Sequence, residues 1–278
     1  MEYTIIQEDE ILKRPCHIHC MKIEYLEWFS EWLPSLESYF NIIVTFSFFD
    51  NIDDITSKYN YTFLKVKNKG ADIGPKFIVC KYLNDKSIDY THILLLHSKS
   101  NTERRNLYLS KLLKSWGNIK ELSEYFGNGV FPDILQYGQQ PIESIDDIQN
   151  VNPKMRNWGR NEYHVGKLQD YLGIRHRDYF FTEGNFALLS KRVFERIYNH
   201  ETLYLMLNDE KSFDLNWVCH YYVIKHYSED KVFDKFRRRK LYGNNFAVPD
   251  GERKLPDCMI EHAFERVTFN LIKDFENT

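Results

Sequence analysis

The amino-acid sequence predicts an α/β protein built on a mostly parallel sheet flanked by helices. Residues 91–100 read THILLLHSKS, a short apolar run followed by polar residues, which is typical of a strand buried on both faces. The predicted elements before it alternate between strand and helix, and this order favours parallel pairing through right-handed crossovers. The chain has 278 residues, 43% of them hydrophobic, which is enough for a sizeable core.

We predict one domain over residues 1–278, because no linker or internal repeat divides the chain, with residues 200–256 as a helical insertion. The formal net charge is -3, so the chain has no general attraction for nucleic acid and would bind anions only through local clusters. No apolar run approaches the 18 residues of a membrane-spanning helix. We therefore expect neither a nucleic-acid partner nor a transmembrane segment.

The five cysteines are odd in number, scattered, and not preceded by a secretory signal. This usage indicates a reducing compartment, and we expect a cytoplasmic protein. Residues 16–20 read CHIHC, whose side chains are of the types that bind zinc. A strand here would place Cys16 and Cys20 on one face and His17 and His19 on the other. Because four ligands could not then converge, we predict a core strand and no metal site.

The elements of the first half follow from local patterns. Residues 1–14 show no clear period and are predicted as a lead-in. Residues 23–40 have an apolar stripe at helical spacing, and Pro34 is expected to kink or split that helix. Further strands are predicted at 41–49 and 61–67 from their β-branched and aromatic content. The glycine-rich stretch 68–75 predicts a tight turn into a helix over 76–83.

The second half is less regular. Gly173 predicts the end of a helix as its C-cap. Residues 183–186 are predicted as the turn from a strand into the helix over 190–198. The predicted helices are 104–116, 162–172, 190–198, 213–239 and 257–271, the predicted strands are 130–137 and 178–182, and residues 139–157 are predicted as a long loop.

Polar residues collect where the strand within 91–100 ends. His97, Ser98, Lys99 and Ser100 follow its apolar run, and Arg104 and Arg105 come shortly afterwards. In open α/β sheets ligands bind beyond the carboxyl ends of such strands, and this set of side chains could hold a phosphate. His19, near the carboxyl end of its own predicted strand, is a further candidate. The alternative is that Lys99 and the arginines only solvate a loop and the next helix.

Four separated blocks resemble the rhamnan-synthesis protein F family of glycosyltransferases. The first, NKGADIGP, is similar to the family's N-x-G-x-D-x-x-P turn, and the second, YTHILLLHSKS, to its apolar strand ending in H-x-K. The third, FTEGNFALLSKRVFERI, is similar to an F-x-x-G-x-x-F block, and the fourth, DCMIEHAFER, to the ending D-x-x-x-x-H-A-x-E-R. The matched residues are Asn68, Gly70, Asp72, Pro75, His97, Lys99, Phe181, Gly184, Asp257, His262, Ala263, Glu265 and Arg266.

The resemblance covers roughly residues 15–272 and implies a GT-A-like, Rossmann-type fold. It also implies a glycosyltransferase of polysaccharide biosynthesis, which moves a sugar from a nucleotide-diphosphate donor onto a glycan acceptor. A deoxyhexose such as rhamnose is the expected sugar. Two alternatives stay open: a metal-dependent GT-A transferase of another sugar, and a non-catalytic carbohydrate-binding or scaffold protein.

The residues suggest how the donor would be held. Asp72 can accept hydrogen bonds from the base or ribose, and it can also cap the following helix. Many GT-A enzymes hold a divalent metal with two aspartates where this chain has His97 and Lys99. Because a charged lysine cannot bind a cation, we expect direct cationic stabilisation of the diphosphate and no required cofactor, with Mn²⁺ or Mg²⁺ as the alternative.

The full nucleotide-sugar site is predicted at His19, Asn68, Gly70, Asp72, His97, Lys99, Arg104, Gly184, His262, Glu265 and Arg266. Asp257 is the expected catalytic base, at the start of a helix whose dipole would keep it ionised. It could instead be an ordinary N-cap. The rival bases are Glu183, before a glycine at a predicted strand end, and Asp214, in the predicted insertion.

Overall fold

The structure is a computed structural model that describes residues 1–9, 14–103, 105, 106, 109, 134–136, 162–176, 185–207 and 260–276. The chain divides into two compact units, which are described separately. The first comprises Met1–Gln140 and Thr182–Leu205, and the second Pro141–Phe181 and Met206–Thr278. A single domain over residues 1–278 stays a prediction, as does the helical insertion over 200–256, most of which lies outside the described residues.

A seven-stranded mixed sheet forms the centre of the first unit, in the spatial order β1-β4-β3-β2-β5-β7-β6. Strands β2 to β5 pair in parallel, whereas β1, β6 and β7 pair antiparallel with their neighbours. The predicted α/β class with a mostly parallel sheet is confirmed. The strands are β1 Tyr3–Gln7, β2 Pro15–Lys22, β3 Asn41–Phe48, β4 Thr62–Val66, β5 His92–His97, β6 Ile134–Gln136 and β7 Ala187–Ser190.

The helices of the first unit are a 3₁₀ helix Ile23–Phe29, α1 Leu33–Glu37, α2 Ile52–Thr56, α3 Gly74–Asp85, α5 Lys191–Tyr198 and α6 Glu201–Met206, the last residue of which is assigned to the second unit. Pro34 lies in the first turn of α1, where a missing N–H costs nothing. The predicted helix over 23–40 is therefore split, as expected from the proline. Ser190 caps α5 by accepting a hydrogen bond from the Val193 N–H (3.3 Å).

The two faces of β2 carry different side chains. Cys16, Ile18 and Cys20 are fully buried in an apolar cluster with residues of the 3₁₀ helix and α1. His17 and His19 are buried too, and both contact Thr45 of β3. The predicted alternation is confirmed, so these thiols and imidazoles do not converge on one point.

The strand order reverses between β2 and β5. From β2 the chain moves through β3 to β4 on one side, and the connection from β4 through α3 then places β5 on the other side of β2. The first helices pack on one face, while α3 contacts β2 and β3 and packs against α5, which also contacts β5. Such a reversal leaves a crevice at the carboxyl ends of the strands, where ligands of open α/β sheets bind.

Two predictions about strands are wrong. Residues 1–14 are not only a lead-in, because Tyr3–Gln7 forms the edge strand β1, paired antiparallel with β4. Three of its five residues are exposed, so no buried face marks it in the sequence. Residues 183–186 do not lead directly into a helix, because Ala187–Ser190 first forms β7. This strand has only four residues and directly precedes α5, so its apolar residues resemble the start of the helical stripe.

The second unit contains α4 Glu162–Leu172 and α7 Ile260–Glu276, which pack against each other. Gly173 has φ 68°, a left-handed conformation suited to glycine, so the predicted C-cap of α4 is confirmed. After the cap, the N–H groups of Arg175 (2.5 Å) and His176 (2.6 Å) donate to the Asp274 carboxylate of α7. The α4–α7 pair is therefore joined by a polar contact as well as by its apolar surfaces.

Several predicted elements lie outside the described residues: the loop 139–157, the strand 178–182 and the helix 213–239. Strand β6 lies within the predicted 130–137. Of the predicted helix 104–116, residues 105, 106 and 109 are described and helical. In the described part of the chain, no helix is both long and apolar enough to cross a membrane.

Candidate functional site

The candidate site lies at the reversal of strand order in the first unit. His19 of β2 and His97 of β5 are register partners on these parallel strands. Both are largely buried, with 6% and 8% of their surface exposed. We use the name strand-end site for His19 and His97 together with Asp72, Lys76 and Asn185, whose contacts are described below.

The loop between β4 and α3 carries Asp72 to this position. Gly70 and Ala71 both have positive φ, 71° and 48°, and the Gly70 carbonyl accepts hydrogen bonds from the N–H groups of Ile73 (2.9 Å) and Gly74 (3.0 Å). Glycine adopts this conformation without cost, whereas alanine is strained by roughly 1 kcal/mol. The predicted tight turn before a helix is confirmed, and that helix, α3, starts at Gly74.

Asp72 gathers three polar groups around one carboxylate oxygen. Its Oδ2 accepts a hydrogen bond from Asn185 Nδ2 (2.8 Å) and lies 3.7 Å from Lys76 Nζ and 3.9 Å from His97 Nε2. Burial raises the pKa of this carboxyl, but the positive charges of His97 and Lys76 outweigh burial and hold the pKa below its ordinary value. Asp72 does not cap α3, whose N-cap is Ile73 with no side-chain hydrogen bond, so the capping alternative is wrong.

An ion pair and the contacts of the His97 ring order the strand-end site. The Lys76 side chain is only 3% exposed and that of Asp72 20%, so their ion pair lies mostly out of water. His97 Nδ1–H donates to the main-chain oxygen of Ser98 (3.2 Å), which leaves Nε2 facing Asp72. The His97 ring also packs against the Phe186 ring, with centroids 4.8 Å apart. Packing and hydrogen bonds together fix the orientation of the imidazole.

The sequence reasoning did not identify Lys76 and Asn185. Lys76, in the first turn of α3, comes four residues after Asp72 of the preceding loop, and this i,i+4 spacing could have indicated the pair. Asn185 has φ 55°, a conformation that asparagine tolerates better than most residues, and it follows a glycine in the sequence. The Gly-Asn step was a usable sign of a turn, but only the folded chain shows that its amide reaches Asp72.

A second polar group lies in the sheet beneath the strand-end site. Thr45 Oγ1 is 2.7 Å from His17 Nε2 and 3.0 Å from His19 Nδ1. Burial lowers the pKa of His19 to about 4, with Asp72 acting in the opposite direction, and burial also lowers the pKa of His17 well below its ordinary value. Both imidazoles are therefore neutral at pH 7. Sequence reasoning proposed His19 but missed Thr45, because a threonine in a β-branched strand gives no separate signal.

Hydrogen bonds to neighbouring elements hold the segment that follows β5. The Ser98 N–H donates to the His19 carbonyl (2.7 Å), and the Met21 N–H donates to Ser98 Oγ (3.4 Å). Arg105 Nη1 donates to the Lys99 carbonyl (3.0 Å). The Arg105 guanidinium lies 4.8 Å from the centre of the Trp28 ring, and the residue is 7% exposed. These bonds fix the backbone from which Lys99 extends.

The other predicted site residues are placed as follows. Asn68 is half-buried in the β4–α3 loop, and Lys99 is half-buried after β5. Arg266 is half-buried in α7 of the second unit, where His262 and Glu265 also belong to the helix, although their side chains are not described. Their assignment to the site stays a prediction. Arg104, Glu183, Gly184, Asp214 and Asp257 lie outside the described residues.

The strand-end site combines hydrogen-bond acceptors, donors and a cation over a short distance. An ionised carboxylate can accept from hydroxyl or N–H groups, while imidazole and ammonium groups donate to oxygen. Lys99, on the adjoining segment, adds a positive charge suited to a phosphate. Among the described residues, no group of three or more His, Cys, Asp or Glu side chains is arranged to hold a metal ion.

Comparisons of the chain with protein-family models, with curated proteins and with solved structures found no match. What can be said about its function therefore comes from its own residues and their arrangement.

Proposed function

We propose that this chain is a glycosyltransferase that moves a sugar from a nucleotide-diphosphate donor onto a glycan acceptor. The observation that supports it best is the pairing of His19 with His97 where the strand order reverses, with Asp72 beside them. Nucleotides bind in such crevices because the strand ends and the helix starts leave room and hydrogen-bonding groups there. The order of the four sequence blocks that resemble rhamnan-synthesis transferases agrees with this proposal.

The polar groups suggest an orientation for the donor. Asp72 would accept from the ribose hydroxyls or from an N–H of the base, because a carboxylate repels phosphate. Lys99, on a backbone held by Arg105, would contact the diphosphate instead. The nucleoside would then lie over Asp72 and His19, and the leaving phosphate would lie near the end of β5.

The reaction needs a leaving group, an attacking hydroxyl and a base. The bond from the anomeric carbon to the phosphate oxygen breaks, and the nucleoside diphosphate departs with the electron pair. The acceptor oxygen forms the new bond to the anomeric carbon, and its proton passes to a carboxylate. Asp257 is the proposed base, with Glu183 and Asp214 as rivals. Lys99 would stabilise the charge that develops on the diphosphate.

The donor is proposed to be a deoxyhexose such as rhamnose, and the product a polysaccharide. This part comes from the resemblance alone. A non-catalytic carbohydrate-binding protein with the same fold would be expected to show no saturable binding of nucleotide. A metal-dependent transferase would bind its donor only with Mn²⁺ or Mg²⁺ present.

Calorimetric titration with uridine, thymidine, guanosine and cytidine diphosphates tests the proposal. We expect one of them to bind saturably, and its nucleotide sugars to release the diphosphate when a glycan acceptor is present. Absence of saturable binding for all four, with and without Mn²⁺, would show that the site is not a nucleotide site. Binding without turnover on any acceptor would favour the non-catalytic alternative.

A further inference from the structure

The contacts of Thr45 restrict where the protons of the two buried histidines can lie. Its hydroxyl has one hydrogen to donate and lies within hydrogen-bonding distance of both His17 Nε2 (2.7 Å) and His19 Nδ1 (3.0 Å). At most one imidazole nitrogen can therefore accept from Thr45, and the other must donate to it. Thr45 and His17 are fully buried, so water cannot take the place of either partner.

The second nitrogen of His17 decides between the two directions. His17 Nδ1 is buried and has no hydrogen-bond partner among the described residues. If His17 accepted from Thr45, its hydrogen would lie on Nδ1, and a buried N–H would remain unsatisfied. If His17 Nε2–H donates to Thr45, only a lone pair is left without a partner. Orphaned buried N–H groups are the rarer case, so the second direction is favoured.

The preferred direction determines the state of His19. The Thr45 hydroxyl then donates to His19 Nδ1, so the single hydrogen of the neutral His19 ring lies on Nε2. Among the described residues, the side-chain hydrogen bond of the His19 ring is made by Nδ1, and 6% of the residue's surface is exposed. Nε2 is therefore the ring nitrogen that a ligand at the strand end would meet. Asp72, the carboxylate of the strand-end site, also acts electrostatically on the same imidazole.

We infer that His17 and Thr45 hold His19 as a neutral hydrogen-bond donor, whose Nε2–H binds an acceptor oxygen of the nucleotide. This inference rests on the proposed nucleotide site. His19 is the binding residue, and Thr45 and His17 are positioning residues that act only through it. The consequence is a fixed polarity: at this point the site accepts an oxygen of a hydroxyl, carbonyl or phosphate and rejects an N–H group.

The first half of the inference can be tested without ligand. Long-range ¹H–¹⁵N correlation spectra of histidine-labelled protein distinguish a ring nitrogen that carries hydrogen from one that does not. The His19→Gln spectrum identifies the His19 signals among those of the ten histidines. We expect hydrogen on Nε2 in the wild type and in Thr45→Ser, which keeps the hydroxyl, and a mixture of tautomers in Thr45→Val. Hydrogen on Nδ1 in the wild type, or an unchanged tautomer in Thr45→Val, would overturn the inference.

The second half is tested by calorimetry with the nucleoside diphosphate that binds the wild type best. Glutamine can present an amide N–H near the position of His Nε2, whereas asparagine reaches only the position of Nδ1. We expect His19→Asn to lower affinity about twofold to tenfold, as for one neutral hydrogen bond, and His19→Gln to lower it less. Equal affinity of His19→Asn and the wild type would overturn the inference and leave the proposed function standing. Failure of the wild type to bind any diphosphate would overturn the proposed function and the ligand contact together, but not the tautomer.

Inorganic pyrophosphate identifies the source of the acceptor oxygen. Pyrophosphate affinity is measured by competition with the nucleoside diphosphate. If His19→Asn lowers the affinity for the nucleoside diphosphate but not for pyrophosphate, the oxygen belongs to the nucleoside. An equal loss for both ligands would assign it to the phosphates. Either result supports a donor role for His19, and no loss for either ligand would contradict it.

Discussion

His19 and His97 are register partners at the carboxyl ends of two parallel strands, and the sheet reverses its strand order between them. The relationship follows from the chain path: β3 and β4 lie on one side of β2, and the connection through α3 places β5 on the other. The loop that begins this crossover carries Asp72, which lies 3.9 Å from His97. The crossover begins at the strand ends, so it brings Asp72 close to His19 and His97, which are far from it in the sequence.

We predict that Arg105 supports nucleotide binding without touching the nucleotide. Arg105→Lys should lose the hydrogen bond that holds the Lys99 carbonyl and should lower the affinity for the nucleoside diphosphate a few-fold. Lys99→Ala should lower that affinity more, by about tenfold to a hundredfold, because a charge-assisted contact is lost. Calorimetric dissociation constants measure both effects.

Lys58→Ala is the matched control, because it removes the same charge from an exposed pair with Glu27 in the same unit. Its affinity should equal that of the wild type. If Lys99→Ala and Lys58→Ala behave alike, Lys99 does not contact the diphosphate and Arg105 only stabilises the fold.

The strands that the sequence predicted correctly are those that are buried. Every residue of β5 is buried, and β3 is buried over most of its length, so their apolar runs were visible. Strand β1 was missed because an edge strand that leaves most of its residues exposed needs no apolar pattern. Strand β7 was missed because it has only four residues and adjoins a helix, so neither its length nor its period separates it.

The candidate site was predictable where a residue type was unusual for its position. His97 and Lys99 stand out after an apolar strand, and Asp72 stands out in a glycine turn. Lys76, Thr45 and Asn185 did not stand out, because lysine in a helix, threonine in a strand and asparagine in a turn are ordinary. Their importance comes from partners in other elements, and no local pattern contains that information.

We predict that the protein loses stability as the pH falls from about 6.5 towards 4. The pKa of His19 is lowered from 6.5 to about 4 by burial, so the unfolded state takes up a proton first as the pH falls. A shift of this size corresponds to roughly 3 kcal/mol of free energy of unfolding, lost across that interval. His17, whose pKa is also lowered, acts in the same direction. Urea denaturation at a series of pH values measures the loss.

His19→Gln is the control for this pH dependence, because it removes one titrating imidazole and keeps a polar side chain of similar reach. The slope of unfolding free energy against pH should become shallower in that variant. Asp72 stabilises the fold throughout this interval, because its pKa in the folded state lies below the unfolded value. That stabilisation is lost only at lower pH, so it does not change the slope between 6.5 and 4. A wild-type stability that rises on acidification from 6.5 to 4 would contradict the neutral, buried state of both histidines.

We predict that sugar transfer survives treatment with EDTA. The Asp72 oxygen that faces the strand-end site already accepts a hydrogen bond from Asn185 and lies 3.7 Å from Lys76 Nζ. A divalent cation at this oxygen would be repelled by the ammonium group, so Lys99 is the better candidate for neutralising the diphosphate. Initial rates with and without chelator measure this. Complete loss of activity, restored by Mn²⁺ or Mg²⁺, would favour a metal-dependent transferase instead.

We predict that Asp257→Asn lowers kcat by about 10²- to 10⁴-fold and leaves donor affinity nearly unchanged, as expected when a general base is removed. Asparagine caps helices about as well as aspartate, so stability should change little. Glu183→Gln and Asp214→Asn are the parallel variants, and single-turnover rates compare the three. Near-normal turnover in Asp257→Asn, with loss in either of the other two, would assign the base to that other residue.

We predict that charge balance and ligand binding can be separated at Asp72. Asp72→Asn removes the carboxylate that the buried Lys76 ammonium faces, and it should lower the free energy of unfolding by on the order of 2 kcal/mol. Adding Lys76→Met should recover much of that stability, because an apolar side chain of similar length replaces the buried charge. Nucleotide affinity should stay low in both variants, because a neutral amide replaces the ionised carboxylate that would accept from the nucleoside in each. Urea denaturation and calorimetry measure the free energy of unfolding and the nucleotide affinity independently.

Asp89→Asn is the matched control. It changes an exposed carboxylate 3.9 Å from Lys191 and should alter neither the stability nor the affinity. Wild-type affinity in the double variant would mean that Asp72 serves only to neutralise Lys76, and would remove it from the nucleotide site.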